Sequence, residues 1–201
     1  MSYASAEHDR MIAAMLMPCA VVGVDLPAGM VRVTNGEWTS AWVRWHSLAA
    51  GKARHWRAPS VGEQGVLFNP SGQAGMGTFV PGLYGNAGAQ PDNRDHVEVW
   101  RFDDGGSLVY DWQAMTYSIT LPTGTVTIKV DSTEVVVTDD AVTVKVGSTQ
   151  AVLTPESATF DAAAITLVGA VVIDGSLHVT QNITSAGSII DATGNSNHHT
   201  H

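Results

Sequence analysis

Residues 125–172 read, in eights, TVTIKVDS, TEVVVTDD, AVTVKVGS, TQAVLTPE, SATFDAAA and ITLVGAVV. Ile128, Val136, Val144, Val152, Phe160 and Val168 stand eight positions apart, so the segment is an internal repeat of short Val/Thr-rich strands and polar or small corners. Alternation along a strand sends Val126, Ile128 and Val130 to one face and Thr125, Thr127 and Lys129 to the other. No helical pattern follows that could cover the apolar side. Such a ribbon exposes an apolar row and unpaired edges, an aggregation hazard that closed point-group symmetry removes. Three copies wound around one axis turn each row into a shared core, where each buried Val or Ile contributes roughly 1.5–3 kcal/mol. The repeat therefore predicts an obligate homotrimer, an intertwined β-helix with the repeat positions as its core and strand edges paired between chains. With strand layers ~4.8 Å apart, residues 125–191 form a shaft on the order of 40 Å long. A two-sheet sandwich or a single-chain solenoid would share the period, but the Asn or Gly ladders usual in a solenoid are missing.

The rest of the chain is composed differently. All six Trp (38, 42, 45, 56, 100 and 112) precede Gln113, and beyond Trp112 the only basic residues are Lys129 and Lys145 and the only large aromatics Tyr117 and Phe160. A net charge of −9 repels phosphate backbones and no dense basic patch exists, which argues against a nucleic-acid partner. Cys19 is the single cysteine, so neither an intramolecular disulfide nor a cysteine metal site can hold the fold. Met11 to Val24 is apolar, yet Glu7 and Asp9 precede it and Pro18 interrupts it, so it is read neither as a signal peptide nor as a membrane span. A short helix over Ser5 to Met17, capped by Ser5 and stopped by Pro18, fits it better.

Alternating runs at Cys19–Asp25 and Met30–Thr34, then Thr39–His46, Val66–Phe68 and Thr78–Leu83, make five strands joined by Gly- and Pro-containing turns. Five short strands with little helix point to a Greek-key barrel of OB type. Asn86–Arg94 is the connection out of it, and Val97–Phe102 with Ser107–Trp112 forms a further hairpin. The fold class is all-β, divided into a helix (1–17), an OB-type barrel (18–95), a triple-stranded β-helix shaft (96–191) and a histidine apex (192–201).

Three of the eight His fall in the last four residues, and His199-Thr200-His201 places two imidazoles on one side of an extended chain. On a threefold axis two become six, and six imidazole nitrogens suit an octahedral first-row divalent ion better than tetrahedral zinc. His199 and His201 are the candidate metal ligands. His198 points the other way, and His8, His46, His55, His96 and His178 lack ligand spacing and receive no chemical role.

APSVGEQ at Ala58–Gln64, preceded by Arg54-His55-Trp56-Arg57 and followed by Phe79-Val80-Pro81-Gly82-Leu83-Tyr84, resembles the baseplate assembly protein V family. These are the central spikes of contractile phage tails and R-type pyocins. The likeness runs from the helix and barrel through the Arg101–Gly105 hairpin and the repeat to the terminal His-Xaa-His. It implies a trimeric needle seated on the baseplate hub and the end of the tail tube, at the central tip of a virion or tail-like particle. It also implies an iron ion at the apex, held by His199 and His201 of three chains, and further ions on the shaft axis for which no residue here supplies a place. The chain would be made in the bacterial cytoplasm without a signal peptide.

The function that follows is mechanical: sheath contraction drives the spike through the target outer membrane, and the spike caps the tail tube until then. A lytic spike enzyme would need an inserted hydrolase domain or a motif such as G-x-S-x-G, and the six Glu include no evident partner pair, so no enzyme is expected. A receptor- or glycan-binding tail fibre would expose aromatics along its shaft, whereas the Trp here are confined to the first part.

Overall fold

The computed structural model describes residues 3–73 and 76–187. The chain divides into two compact units, Met1–Pro122 and Thr123–His201. In the first, a helix α1 (Tyr3–Ala13) leads into strands β1 (Leu16–Asp25), β2 (Met30–Thr34), β3 (Val43–Trp45), β4 (Gln64–Phe68) and β5 (Thr78–Leu83). These close into a barrel of order β1-β2-β3-β5-β4, in which every pairing is antiparallel except β3 with β5. That connectivity is the Greek-key closure expected of the OB type. Alternate residues of the strands point inward, and Val21, Val31, Val33, Val43, Leu67 and Phe79 form the core, with Cys19 buried among them and Trp38 and Trp45 packed against it.

Two details set the barrel's shape. Val22 is an extra residue in β1 between the Val21–Val33 and Gly23–Arg32 pairs, a bulge that bends the strand around the barrel. Gly65 leaves room for the ring of Phe79, because a Cβ there would stand 2.7 Å from two of its carbons.

The helix ends earlier than its sequence suggests. Ser5 lies inside α1, and Pro18 sits within β1 opposite Val66. The stop comes from elsewhere in the chain: the side-chain amide of buried Asn69 donates to the Ala14 carbonyl at 2.9 Å, and its backbone N–H donates to Met15 at 2.8 Å. A residue fifty-five positions away thus holds the two carbonyls just past the helix, where the chain turns into β1.

A second sheet in this unit is the meander β6 (Val97–Arg101), β7 (Ser107–Asp111) and β8 (Thr116–Thr120). The second unit contains β9 (Thr125–Val130), β10 (Thr133–Thr138), β11 (Val142–Val146), β12 (Thr149–Leu153) and β13 (Ala158–Asp161), an antiparallel meander in which each strand pairs with the next. Here the structure departs from the expectation that edges pair between chains, since from β9 to β13 the ladder is made within one chain. The corners explain it. Asp131 and Gly147 take positive φ at the first residue of two-residue turns, and such turns reverse the chain directly onto itself. Within residues 162–187 no strand is assigned. No helix of the described residues is long and apolar enough to cross a membrane.

Candidate functional site: an uncovered apolar sheet face

Residues directly opposite each other in antiparallel strands share a face. Ile128 stands opposite Val135, Val135 opposite Val144, Val144 opposite Ala151, and Ala151 opposite Phe160. A second row runs Val126, Val137, Val142, Leu153 and Ala158 on the same face. The other face carries Thr127, Val136, Thr143, Val152 and Thr159, together with Lys129, Glu134 and Lys145 in cross-strand succession. Lys129 Nζ lies 3.7 Å from Glu134 Oε2 there, an ion pair suited to a wet surface.

This register corrects the core assignment. Of the eight-spaced positions, Ile128, Val144 and Phe160 belong to the apolar face, whereas Val136 and Val152 belong to the polar one. The reason is geometric. Each hairpin reflects the numbering about its turn, so facing residues are always an odd number apart, alternately seven and nine in the first row, and a step of eight crosses to the opposite face. The true unit is two hairpins. Thr138 and Thr154, sixteen apart, build the same turn: each accepts on Oγ1 from the backbone N–H three residues on, at 3.0 Å from Ala141 and 3.1 Å from Ser157. The reversals at Asp131 and Gly147 are likewise sixteen apart.

Among the described residues none covers the apolar face. Ile128 is 64% exposed and Phe160 62%, and among the described residues from Thr123 on none is buried. Such a face cannot remain in water, and its flat, regular rows suit a copy of itself. In the first unit the three-stranded sheet has an aromatic face, with Glu98, Tyr110 and Tyr117 in one cross-strand row and Trp100, Leu108 and Ile119 in the next. Tyr110 and Tyr117 meet with ring centroids 6.4 Å apart, His55 packs edge-on to Trp100 at 6.0 Å, and the Trp100 indole donates to Glu98 at 3.1 Å. His55 therefore has a packing role that its spacing did not reveal.

The turn between β7 and β8 depends on Asp111. One of its oxygens accepts from the backbone N–H of Gln113 at 3.0 Å and Ala114 at 2.9 Å, and the other accepts from Arg94 at 3.0 Å. The Ala114 amide, with His96, Gln113 and Arg94, holds its carboxyl below the usual range against the opposing effect of burial. The Asn86–Arg94 connection is thus tied at its end, which composition alone did not indicate.

APSVGEQ forms a clipped turn. Gly62 has φ +88° at the third position, as a type II turn requires, and the Glu63 N–H closes it onto Ser60 at 3.0 Å. The turn joins β1 through Val21 N–H to Glu63 O at 2.9 Å and Gly62 N–H to Val21 O at 2.8 Å. Arg57 grips the Glu63 carboxylate with both terminal nitrogens, one at 3.1 Å, and the Ser60 N–H donates to the same group at 3.0 Å. Burial alone would raise the Glu63 carboxyl, and the Arg57 and Ser60 hydrogen bonds outweigh it and hold the group below the ordinary glutamate range.

Residues 17–84 match the model of the "Type VI secretion system/phage-baseplate injector OB domain" family, and residues 98–151 match "Gp138, beta helical trimerization domain". The fold is thus an OB-type barrel followed by a β-helical trimerization domain. The resemblance to the baseplate spikes stands with it. The chain is 30% identical over 132 residues to the "Spike protein" of Escherichia phage P2, a match covering 65% of this chain and 62% of that relative. The trimerization match begins within β6 and includes the aromatic sheet as well as β9 to β12. His199 and His201 lie outside the described residues. Among the described residues no group of three or more His, Cys, Asp or Glu is placed to hold a metal ion within one chain.

Proposed function

We propose that three copies of this chain assemble into the central spike at the tip of a contractile phage tail or related particle. The uncovered apolar face of β9–β13 carries this reading, because a threefold assembly buries all three faces against one another. Each fully buried Val, Ile or Leu contributes roughly 1.5–3 kcal/mol, and every row counts three times. The OB barrel seats on the baseplate hub and the end of the tail tube, which the spike caps. Sheath contraction then drives the needle through the target outer membrane.

The spike acts through stiffness and shape and is not an enzyme. A packed β core resists bending because its interior has the density of a molecular crystal. His199 and His201 of each chain would hold one iron ion at the apex, six imidazole nitrogens being a donor set suited to a first-row divalent ion. Such an ion would tie the three chains to one another there.

Sedimentation of the purified chain tests the assembly, with a trimer expected and a monomer ending the proposal. Outer-membrane permeabilisation by particles whose spike carries Ile128→Asp tests the piercing role, and wild-type permeabilisation by those particles would contradict it. Elemental analysis of the trimer against a His199→Ala/His201→Ala variant tests the apex. Loss of iron in the variant alone is expected, and unchanged iron rejects the site.

A further inference from the structure

Charge is unevenly placed along the chain. Residues 38–62 carry four of the ten Lys and Arg and none of the nineteen Asp and Glu. Outside that segment Arg10, Arg94 and Lys129 meet carboxylates, Lys145 stands opposite Glu134, and Arg101 is followed by Asp103 and Asp104. Inside it Arg57 is held by Glu63. Arg44, Lys52 and Arg54 have no such answer. All three are exposed, and among the described residues no acidic group lies within ion-pair reach of them. An acid-free run with unanswered cations sets up a local positive field on a chain whose net charge is −9.

The segment is also held in shape. β3 runs into a loop whose ends are tied together: the rings of Trp45 and Trp56 lie 5.3 Å apart, the His55 N–H donates to the Ala49 carbonyl at 2.9 Å, and the Ser47 hydroxyl donates to the His55 carbonyl. Ala50 and Arg54 bridge across the loop, which leaves Gly51, Lys52 and Ala53 at its tip. The edge-on contact of His55 with Trp100 braces it from the neighbouring sheet. Leu48 and Trp56 stand on the same loop, 82% and 65% exposed. A tied loop presents its side chains without first having to order them, which lowers the cost of binding. Arginine and tryptophan beside one another are the side chains most enriched at the centres of protein interfaces.

We propose that the loop 46–56, with Arg44 just before it, is the surface by which the barrel docks on an acidic protein partner at the baseplate hub or the end of the tail tube. The inference rests on the spike reading above and gives its docking step a location and a chemistry. Charge complementarity selects the partner: three free cations on an otherwise acidic chain fit a surface of carboxylates. The loop lies inside the injector OB match at 17–84 and outside the trimerization match at 98–151, which sets it apart from the contact between copies. Three cations do not make the track that a phosphate backbone needs. An anionic membrane is read by denser clusters, on the order of four to eight Lys and Arg. A protein surface needs only local complementarity, and Leu48 and Trp56 supply apolar area beside the charges.

Charge reversal in the assembled particle tests it. Particles made with a Lys52→Glu/Arg54→Glu spike are purified and their spike content is measured against sheath protein by quantitative immunoblot, with sedimentation of the purified chain alongside. The reversed chain is expected to remain a trimer and to fall roughly tenfold or more in occupancy, because like charges brought together across an interface repel. Lys52→Gln/Arg54→Gln should fall less, and Lys52→Arg/Arg54→Lys, which keeps the charge, should stay at the wild-type level. Lys129→Glu/Lys145→Glu makes the same change in net charge on the second unit and should leave occupancy unchanged. Full occupancy of the Lys52→Glu/Arg54→Glu trimer overturns the docking surface and leaves the spike reading standing; loss of outer-membrane permeabilisation by those fully occupied particles would assign the loop to the membrane instead. Loss of the trimer in that variant makes the loop a contact between copies and overturns the proposal too. An equal fall in the second-unit variant traces the effect to net charge, with the same result. Wild-type particles that lack the chain altogether end the spike reading itself.

Discussion

The barrel and the sheet β9–β13 are both built from short strands rich in valine, yet they reach opposite states of burial. In the barrel Val31, Val33, Leu67 and Phe79 are wholly buried, whereas no described residue of the second unit is. The difference is closure. Pairing β4 back to β1 gives the barrel an inside, so its apolar rows are covered by its own strands. The meander pairs each strand only with its neighbours in sequence and stays open, so its rows have an orientation but no cover. One unit contains its stability within a chain, and the other depends on association. The most direct way to break the comparison is to charge the open face. Ile128→Asp/Val144→Asp leaves carboxylates uncompensated at the threefold contact, at a cost of roughly 3–5 kcal/mol for each buried charge. Sedimentation should shift from trimer to monomer while the barrel stays folded. Retention of the trimer would mean that the face is not the contact.

The barrel should respond within one chain. All six Trp precede Gln113, so their fluorescence reports the first unit alone. Leu67→Ala is expected to lower barrel stability by about 2–5 kcal/mol through the cavity it leaves among Val21, Val31 and Phe79. Gly65→Ala should cost roughly 1–3 kcal/mol, because the added methyl meets the Phe79 ring and the Val80 carbonyl. In both variants sedimentation should remain that of a trimer. If either dissociated it, the barrel would not be the self-contained unit its core implies.

A smaller effect belongs to the APSVGEQ turn. The Glu63 carboxyl is held below its unfolded value, so its contribution is complete above the ordinary glutamate range and disappears as the pH falls through the lowered folded value. Arg57 is half exposed, and solvent screening reduces the pair to ~1 kcal/mol. Glu63→Gln should lower the barrel melting temperature slightly at neutral pH and flatten its decline on acidification. An unchanged acid limb would show that another group controls it.

Composition located the barrel because five alternating runs separated by Gly and Pro turns have few other solutions, and β2 and β5 have the limits read from sequence. The end of α1 was not legible because Asn69, which holds the carbonyls of Ala14 and Met15 just past it, is distant in sequence. Likewise the packing of His55 on Trp100 and the hold of Arg94 on Asp111 are tertiary contacts with no local signature. The repeat was legible as a period but misread as a face. Eight residues measure the distance between turns, and a period alone does not say whether the chain reverses or winds on at each turn. Positive φ at Asp131 and Gly147, and side-chain turns at Thr138 and Thr154, decide for reversal.

That distinction yields the finest test. Val135 and Val136 are adjacent, identical in type and both half-buried in the single chain. Val135 stands opposite Ile128 and Val144 on the apolar face, and Val136 opposite two threonines, Thr127 and Thr143. Threonine replaces valine at nearly equal volume but adds a hydroxyl. At Val135 that hydroxyl enters the shared core of three chains without a partner, which costs roughly 1–3 kcal/mol per copy. At Val136 it joins a row of hydroxyls in water, where substitutions stay within about 0.5 kcal/mol. Thermal dissociation of the trimer should therefore fall clearly for Val135→Thr and hardly move for Val136→Thr. The reverse order would restore the eight-spaced row as the core and remove the hairpin register on which the assignment of the face depends.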